Sequence, residues 1–256
     1  MRIECAGLTD TGCVRETNED AFLVDCGSGL FLVADGMGGL EGGEVASRMA
    51  IETLAGKLGA VAARLCPDQN QDQALTHAQS LERKMVLAFK EANARIRCFA
   101  LQGPGTLGMG TTLVALARCG DFCVLGNVGD SRAYLITDQG IRQISEDHSL
   151  VMAQVREGLL TPEQAWLSRE KSFIYRALGM DSRLEVDTWI IPAAPGDVFL
   201  LCSDGLSNVL DDQDIKALVL QAQTDAVQDI CARFIALALK RRARDNVTVV
   251  LARCLP

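Results

Sequence analysis

The sequence predicts an α+β fold of antiparallel β-sheets with helices packed on the outside. Strand-like runs come in groups, helical periods come in pairs, and the two kinds do not alternate one for one, as a parallel α/β sheet would require. The chain has 256 residues, 48% of them apolar. That is enough for a substantial core and fits one large domain over 1–256 or two small ones.

The first strands are expected at Ile3–Thr9, Ala21–Val24 and Leu30–Ala34. A helix follows Gly43, with Val45, Met49, Leu54, Leu58, Val61 and Leu65 as its apolar face. After a turn at Pro67 to Asp72, a second helix runs from about Ala74 to Leu101. Its stripe of Leu81, Met85, Phe89, Ala92, Ile96 and Phe99 has the spacing of one buried helical face. Strands resume at Thr111–Ala117, Phe122–Val128 and Arg132–Thr137.

The stretch Ser145–Gly179 is polar and reads as loops and short helices, with Thr161-Pro-Glu-Gln164 as a capping box. It is an insertion of about 145–180 on the sheet core, and loops of that length are often functional. Strands at Leu184–Ile191 and Val198–Cys202, helices at Asp212–Ala222 and Asp225–Lys240, and a last strand at Val247–Ala252 complete the chain.

Composition excludes several classes. A formal charge of −8 makes a general nucleic-acid binder a poor fit, since phosphate backbones need a basic surface. No apolar run is long enough to span a membrane, and the N-terminus carries no basic-plus-apolar leader, so a cytoplasmic protein without membrane contact is expected. The ten cysteines lie mostly in apolar runs and read as small core residues in a reducing compartment, not as a disulfide framework. Cys119 and Cys123 flank a hairpin turn, and zinc there would need two more ligands.

The chemistry gathers at strand ends. Phe31-Leu-Val-Ala-Asp35-Gly36 and Phe199-Leu-Leu-Cys-Ser-Asp204-Gly205 are apolar runs closed by Asp-Gly. Asp130 follows the strand ending at Val128, and Asp245 precedes the one starting at Val247. Taken singly, each Asp is a turn residue. Gathered at one edge they would repel one another unless a cation sat among them. Oxygen-only donors suit Mg²⁺ or Mn²⁺, and with only two histidines a His-rich site is excluded. Arg15-Glu-Thr-Asn18-Glu19-Asp20 reads alone as a solvated charge run; beside such a site, Arg15 becomes a phosphate clamp.

These residues carry a resemblance to the protein phosphatase 2C family, the metal-dependent protein phosphatases, in their short bacterial form, which implies a fold of two antiparallel β-sheets packed face to face with helix pairs on the outside, an α-β-β-α sandwich. The matching segments are Arg15–Asp20, Val33-Ala-Asp-Gly-Met-Gly-Gly39, Gly110-Thr-Thr112, Asn127-Val-Gly-Asp-Ser-Arg132, Asp147-His148, Arg176-Ala-Leu-Gly179, Cys202-Ser-Asp-Gly-Leu206 and Asp245-Asn-Val-Thr248, in the family's order. The resemblance implies hydrolysis of phosphoserine and phosphothreonine on proteins by direct attack of a hydroxide bridging two Mn²⁺ or Mg²⁺ ions. It implies that Asp35 bridges both ions, that the Gly36 carbonyl binds the second, and that Asp204 and Asp245 bind the first. Asp130 would hold a third, weaker ion with Asp204, Glu19 and Asp20 would support bound waters or the second ion, and Arg15 would take the substrate phosphate.

The implied partners are phosphorylated proteins, including a Ser/Thr kinase and its substrates, acted on by a monomer. The segment 145–180 stands where the family has a flap beside the site. The chain departs from the pattern at Met37, where many eukaryotic members have a histidine proposed as general acid. It departs again at Ser168-Arg-Glu-Lys-Ser172, where bacterial relatives carry His-Pro followed by Arg-Asn. His148 is read as a helix-start residue ahead of a candidate acid. A phosphatase of anti-sigma antagonists would lack the early Arg motif, a catalytically dead binding module would lose carboxylates, and a nucleotide binder would need a P-loop that is absent.

Overall fold

The computed structural model describes residues 2–38, 42–65, 71–103, 106–222 and 224–256. Two antiparallel sheets form its centre. One runs β1 (Arg2–Asp10), β11 (Val247–Leu255), β10 (Val198–Cys202), β7 (Arg132–Thr137) and β8 (Gly140–Gln143). The other runs β2 (Asp20–Asp25), β3 (Leu30–Met37), β5 (Leu113–Cys119), β6 (Phe122–Val128) and β9 (Asp187–Pro192), with β4 (Gly110–Thr111) paired to the end of β3.

The sheets meet through side chains that alternate along each strand. Phe31, Val33, Leu116 and Leu125 from one face meet Phe199, Leu201 and Val250 from the other, all fully or almost fully buried. The opposite faces are covered by helices. α1 (Gly42–Leu65) and α2 (Gln71–Ala100) pack on the second sheet through Leu54, Leu58, Leu81, Met85 and Phe89. α6 (Asp212–Gln221) and α7 (Val227–Lys240) pack on the first through Ile215, Ile230 and Phe234. The result is the α-β-β-α sandwich that the family resemblance implies and the order of elements fits.

Several local expectations are corrected. The stripe of α1 is rotated by about a residue: Ala46, Ala50, Leu54, Leu58 and Ala62 are buried, while Val45, Met49 and Val61 only flank the core. Alanine on the inner face lets the helix backbone approach its neighbours closely. The side chain of Leu65 and the turn expected at 67–72 lie largely outside the described residues. The strand expected over Thr111–Ala117 is broken at Thr112, whose hydroxyl accepts the Asp35 N–H at 2.9 Å and whose own N–H donates to the Asp35 carbonyl at 2.9 Å. The strand expected from Leu184 begins at Asp187.

Between β8 and β9 lie α3 (Leu150–Arg156) and α4 (Pro162–Leu167), and Thr161 and Gln164 form the expected reciprocal capping box. Cys119, Cys123, Cys202, Cys231 and Cys254 are buried. The remaining sulfur chemistry differs from expectation: Cys5 in β1 and Cys26 in the turn after β2 are disulfide-bonded, with Cα atoms 6.1 Å apart, and Cys13 and Cys98 are exposed. The pair lies 21 positions apart in sequence, so only tertiary packing brings the sulfurs together. Among the described residues no helix is long and apolar enough to cross a membrane.

Candidate active site

The sandwich brings the predicted carboxylates to one edge. Asp20 opens β2 and is the register partner of Asp35 in β3. Asp204 is the first residue of the short helix α5 (Asp204–Ser207), which follows β10 directly. Asp130 sits between β6 and β7, and Asp245 just before β11. Neither Asp35-Gly36 nor Asp204-Gly205 forms a hairpin turn: the first lies inside a strand and the second starts a helix. Glycine is required in both places by close approach. A Cβ on Gly36 would lie 2.1 Å from the Gly43 carbonyl oxygen, and one on Gly205 would lie 1.9 Å from that of Asn246.

One cavity of about 300 Å³ is lined by Arg15, Glu19, Asp35, Gly36, Asp130, Asp204 and Asp245, with Met37, Thr112, Asn246 and, from the 145–180 segment, Ser172 and Ile174. Asp20 lies behind this wall, nearly fully buried. A larger depression of about 590 Å³ lies elsewhere, between the β7–β8 turn and the chain end. Its acidic side chains are Asp138 and Asp197, and the latter holds the Ala194 N–H at 2.8 Å. The chemistry therefore belongs to the smaller cavity.

The electrostatics of this cavity are strained. Burial and the neighbouring carboxylates hold Asp35, Asp130 and Asp204 above the usual carboxylate range, with burial the larger cause in each. Burial pushes Asp20 up to about 7, against the hydrogen bonds from Thr248 and Ser203. Two carboxylate oxygens, Asp20 Oδ1 and Asp204 Oδ1, are buried without a partner. A buried acceptor left unsatisfied costs about 1–3 kcal/mol, so unpartnered oxygens in a cluster of like charges mark a place that takes a cation. The donors are all oxygen, which suits a hard divalent ion.

The carboxylates are engaged rather than arranged as a finished cage. Among the described residues no three carboxylate, imidazole or thiol groups converge as one ion-holding group. Arg15 Nη2 donates to Asp245 Oδ2 at 2.8 Å, Asn208 Nδ2 to Asp204 Oδ2 at 2.8 Å, and Ser203 and Thr248 hydroxyls to Asp20 Oδ2 at 2.7 and 2.6 Å. Arg15 thus stands at the cavity, but it is paired with one of the predicted ligands.

Positioning residues emerge that strand patterning does not show. Asn246 donates to the carbonyls of Thr11 and Thr17 at 3.0 and 2.9 Å and accepts the Glu19 N–H at 2.8 Å, so it ties the loop bearing Arg15 and Glu19 to β11. Ser203 and Thr248 fall within segments that match the family, but the sequence assigned them no role. His148 does not line this cavity. It is fully buried, its Nδ1 accepts the Gly129 N–H at 2.9 Å, and its Nε2 faces Asp187 at 3.0 Å and Arg176 at 3.0 Å. Burial lowers its pKa. With Nδ1 accepting, the ring is the neutral Nε2–H tautomer donating to Asp187, a structural role before α3 and not that of an acid in the cavity.

Comparison with known proteins agrees with this geometry. Residues 14–248 match the family model described as Protein phosphatase 2C. Over 246 residues the chain is 35% identical to the serine/threonine phosphatase stp of Listeria monocytogenes, covering 95% of this chain and 92% of that protein. The crystal structure of the Mycobacterium tuberculosis serine/threonine phosphatase PstP/Ppp superposes with a TM-score of 0.86 at 35% identity, covering 100% of both chains. The catalytic domain of the serine/threonine protein phosphatase PstP in complex with two manganese ions superposes with a TM-score of 0.81 at 35% identity, covering 99% of both. With a matching model over nearly its whole length, the same fold and the carboxylate-lined cavity, this chain belongs to the protein phosphatase 2C family.

Proposed function

We propose that this chain is a metal-dependent protein serine/threonine phosphatase, and that the cavity lined by Asp35, Asp130, Asp204 and Asp245 is its active site. The observation that carries this reading is the gathering of half-buried and buried carboxylates around one cavity beside Arg15, with unpartnered buried oxygens on Asp204 and on Asp20 behind it. Asp35, the Gly36 carbonyl, Asp204 and Asp245 would hold the core divalent ions, and Asp130 with Asp204 a weaker third. Glu19 and Asp20 would support them from the adjoining loop and strand. Manganese, present in the related catalytic domain, or magnesium would supply positive charge and an acidified water as nucleophile when bound.

The chain's own residues bind, orient and exclude. Arg15 leaves Asp245 to take the phosphate oxygens, a bidentate partner of the kind guanidinium prefers. Ser203 and Thr248 fix the Asp20 carboxylate, and Asn246 fixes the loop that carries Arg15. Met37 and Ile174 give the cavity an apolar wall that keeps bulk water from the reacting phosphate. No imidazole lines the cavity among the described residues, so the leaving alkoxide takes its proton from water. Segment 145–180 acts as the flap. The substrates are phosphoproteins, including a Ser/Thr kinase and its targets, and the working unit is a monomer in the cytoplasm.

The test is hydrolysis of p-nitrophenyl phosphate and a phosphothreonine peptide with and without Mn²⁺. Activity should require the ion and disappear with EDTA. Asp204→Asn should lower kcat at least about 10³-fold, the scale of losing a principal electrostatic group. Full turnover after exhaustive metal removal would sink the mechanism.

A further inference from the structure

The active-site cavity is not isolated. It shares Asp130 and Asp204 with a second cavity of about 200 Å³ under the 145–180 segment. That cavity in turn shares Arg132, Pro162, Trp166, Ser207 and Asp212 with a third, shallower groove of about 460 Å³. The groove runs between α4 and the start of α6, and its apolar lining is Pro162, Trp166, Leu167 and Leu210. Trp166 is 44% exposed and Leu167 74% exposed, an uneconomical placement for two large apolar side chains on one short helix.

The charged side chains of the groove are Glu163, Asp211, Asp212 and Arg132. Arg132 is committed: it forms a bidentate pair with Asp147, with contacts of 2.7 to 3.1 Å. The rim therefore presents negative charge around an apolar floor. Lys171 stands at the passage between the cavities, its Nζ 5.5 Å from the Trp166 ring centroid and 3.4 Å from the Asn208 carbonyl oxygen. It fixes the ring and pins the segment to the residue that follows α5.

We propose that this groove binds the phosphoprotein substrate at a distance from the phosphate, taking an apolar side chain that is followed by a lysine or arginine. The proposal rests on the phosphatase reading above. Continuity with the active site identifies the occupant: a chain whose phosphoresidue enters the carboxylate cavity is led past Lys171 onto the face of Trp166. The acidic rim selects the sign of the neighbouring charge. Trp166 and Leu167 are specificity residues here, not catalytic ones, because neither lines the cavity holding Asp35 and Asp245.

The experiment uses the full chain with Mn²⁺ and a set of phosphothreonine peptides in which a Leu-Lys pair is moved through each position on either side of the phosphoresidue. One placement should raise kcat/KM about tenfold over a Gly-Ser pair, the range of one well-buried apolar side chain. Leu167→Glu and Trp166→Ala should each abolish that preference, and replacing Leu-Lys by Leu-Glu should weaken it. p-Nitrophenyl phosphate is too small to reach the groove and reports the active site alone. Its hydrolysis by the wild type without any favoured Leu-Lys position, or a preference that survives in both variants, overturns the groove. Failure of the wild type to hydrolyse it at all overturns the phosphatase reading itself.

Discussion

Asp20→Asn should make the metal-free protein more stable. Asp20 Oδ2 accepts from Ser203 and Thr248, but its Oδ1 is buried with no partner and its register neighbour is Asp35. Burial pushes its pKa from 3.8 to about 7, roughly three units. At 1.36 kcal/mol per unit, ionised Asp20 costs the metal-free fold roughly 4 kcal/mol. The sign follows from proton linkage: the folded state binds the extra proton between about pH 4 and pH 7. The cost is therefore absent at low pH, grows as pH rises through that window, and is complete above it. Asparagine keeps an acceptor for the two hydroxyls, offers an N–H₂ toward Asp35, and does not titrate.

In EDTA at pH 8 the variant should melt about 8 °C or more above the wild type, taking about 2 °C per kcal/mol as the low end for a chain of this size. At pH 4.5 the difference should fall to about 1 kcal/mol, because the wild-type side chain is then protonated in the fold. With Mn²⁺ at pH 8 the wild type should gain more than the variant, since a cation offsets the charge that the variant lacks. Scanning calorimetry over pH, with and without Mn²⁺, reads all three. A variant less stable than the wild type in EDTA at pH 8, or a difference that does not change with pH, would refute the reasoning and make Asp20 an ordinary hydrogen-bonded structural residue.

Two more outcomes are expected. Arg15→Ala should raise KM for a phosphopeptide about tenfold with little change in kcat, because a phosphate clamp acts in ground and transition states alike; a kcat/KM equal to wild type would return Arg15 to being only the partner of Asp245. Asp130→Ala should keep the melting temperature and the tight ion sites seen by calorimetry yet lose a weak site and most phosphopeptide turnover; unchanged ion binding with lowered stability would make it a turn residue.

The periodicities and the run endings carried most of the architecture. The order of strand groups and helix pairs leads to antiparallel sheets with helices packed outside because a strand or helix with one apolar face has few ways to bury it. The carboxylates were legible because each borders an apolar run, and a chain that buries a strand places the adjoining residues at the sheet edge. What the sequence could not show is how separate segments meet. The break at Thr112 arises from hydrogen bonds to Asp35, 77 residues away. The four-residue strand β8 and the one-turn helix α5 are too short to display a period and exist because neighbours satisfy their backbones. The stripe of α1 shifted onto alanines because close packing, not hydrophobicity alone, chose its inner face.

The same division holds at the site. The run endings in the sequence picked out the carboxylates, and the early charge run picked out the arginine, that line the cavity. Only the tertiary structure decided that Arg15 rests on Asp245, that His148 is locked between Gly129 and Asp187, and that Cys5 in β1 meets Cys26 in the turn after β2. Each of these is a contact between residues distant in the chain, where distance and geometry, rather than residue type, set the energy.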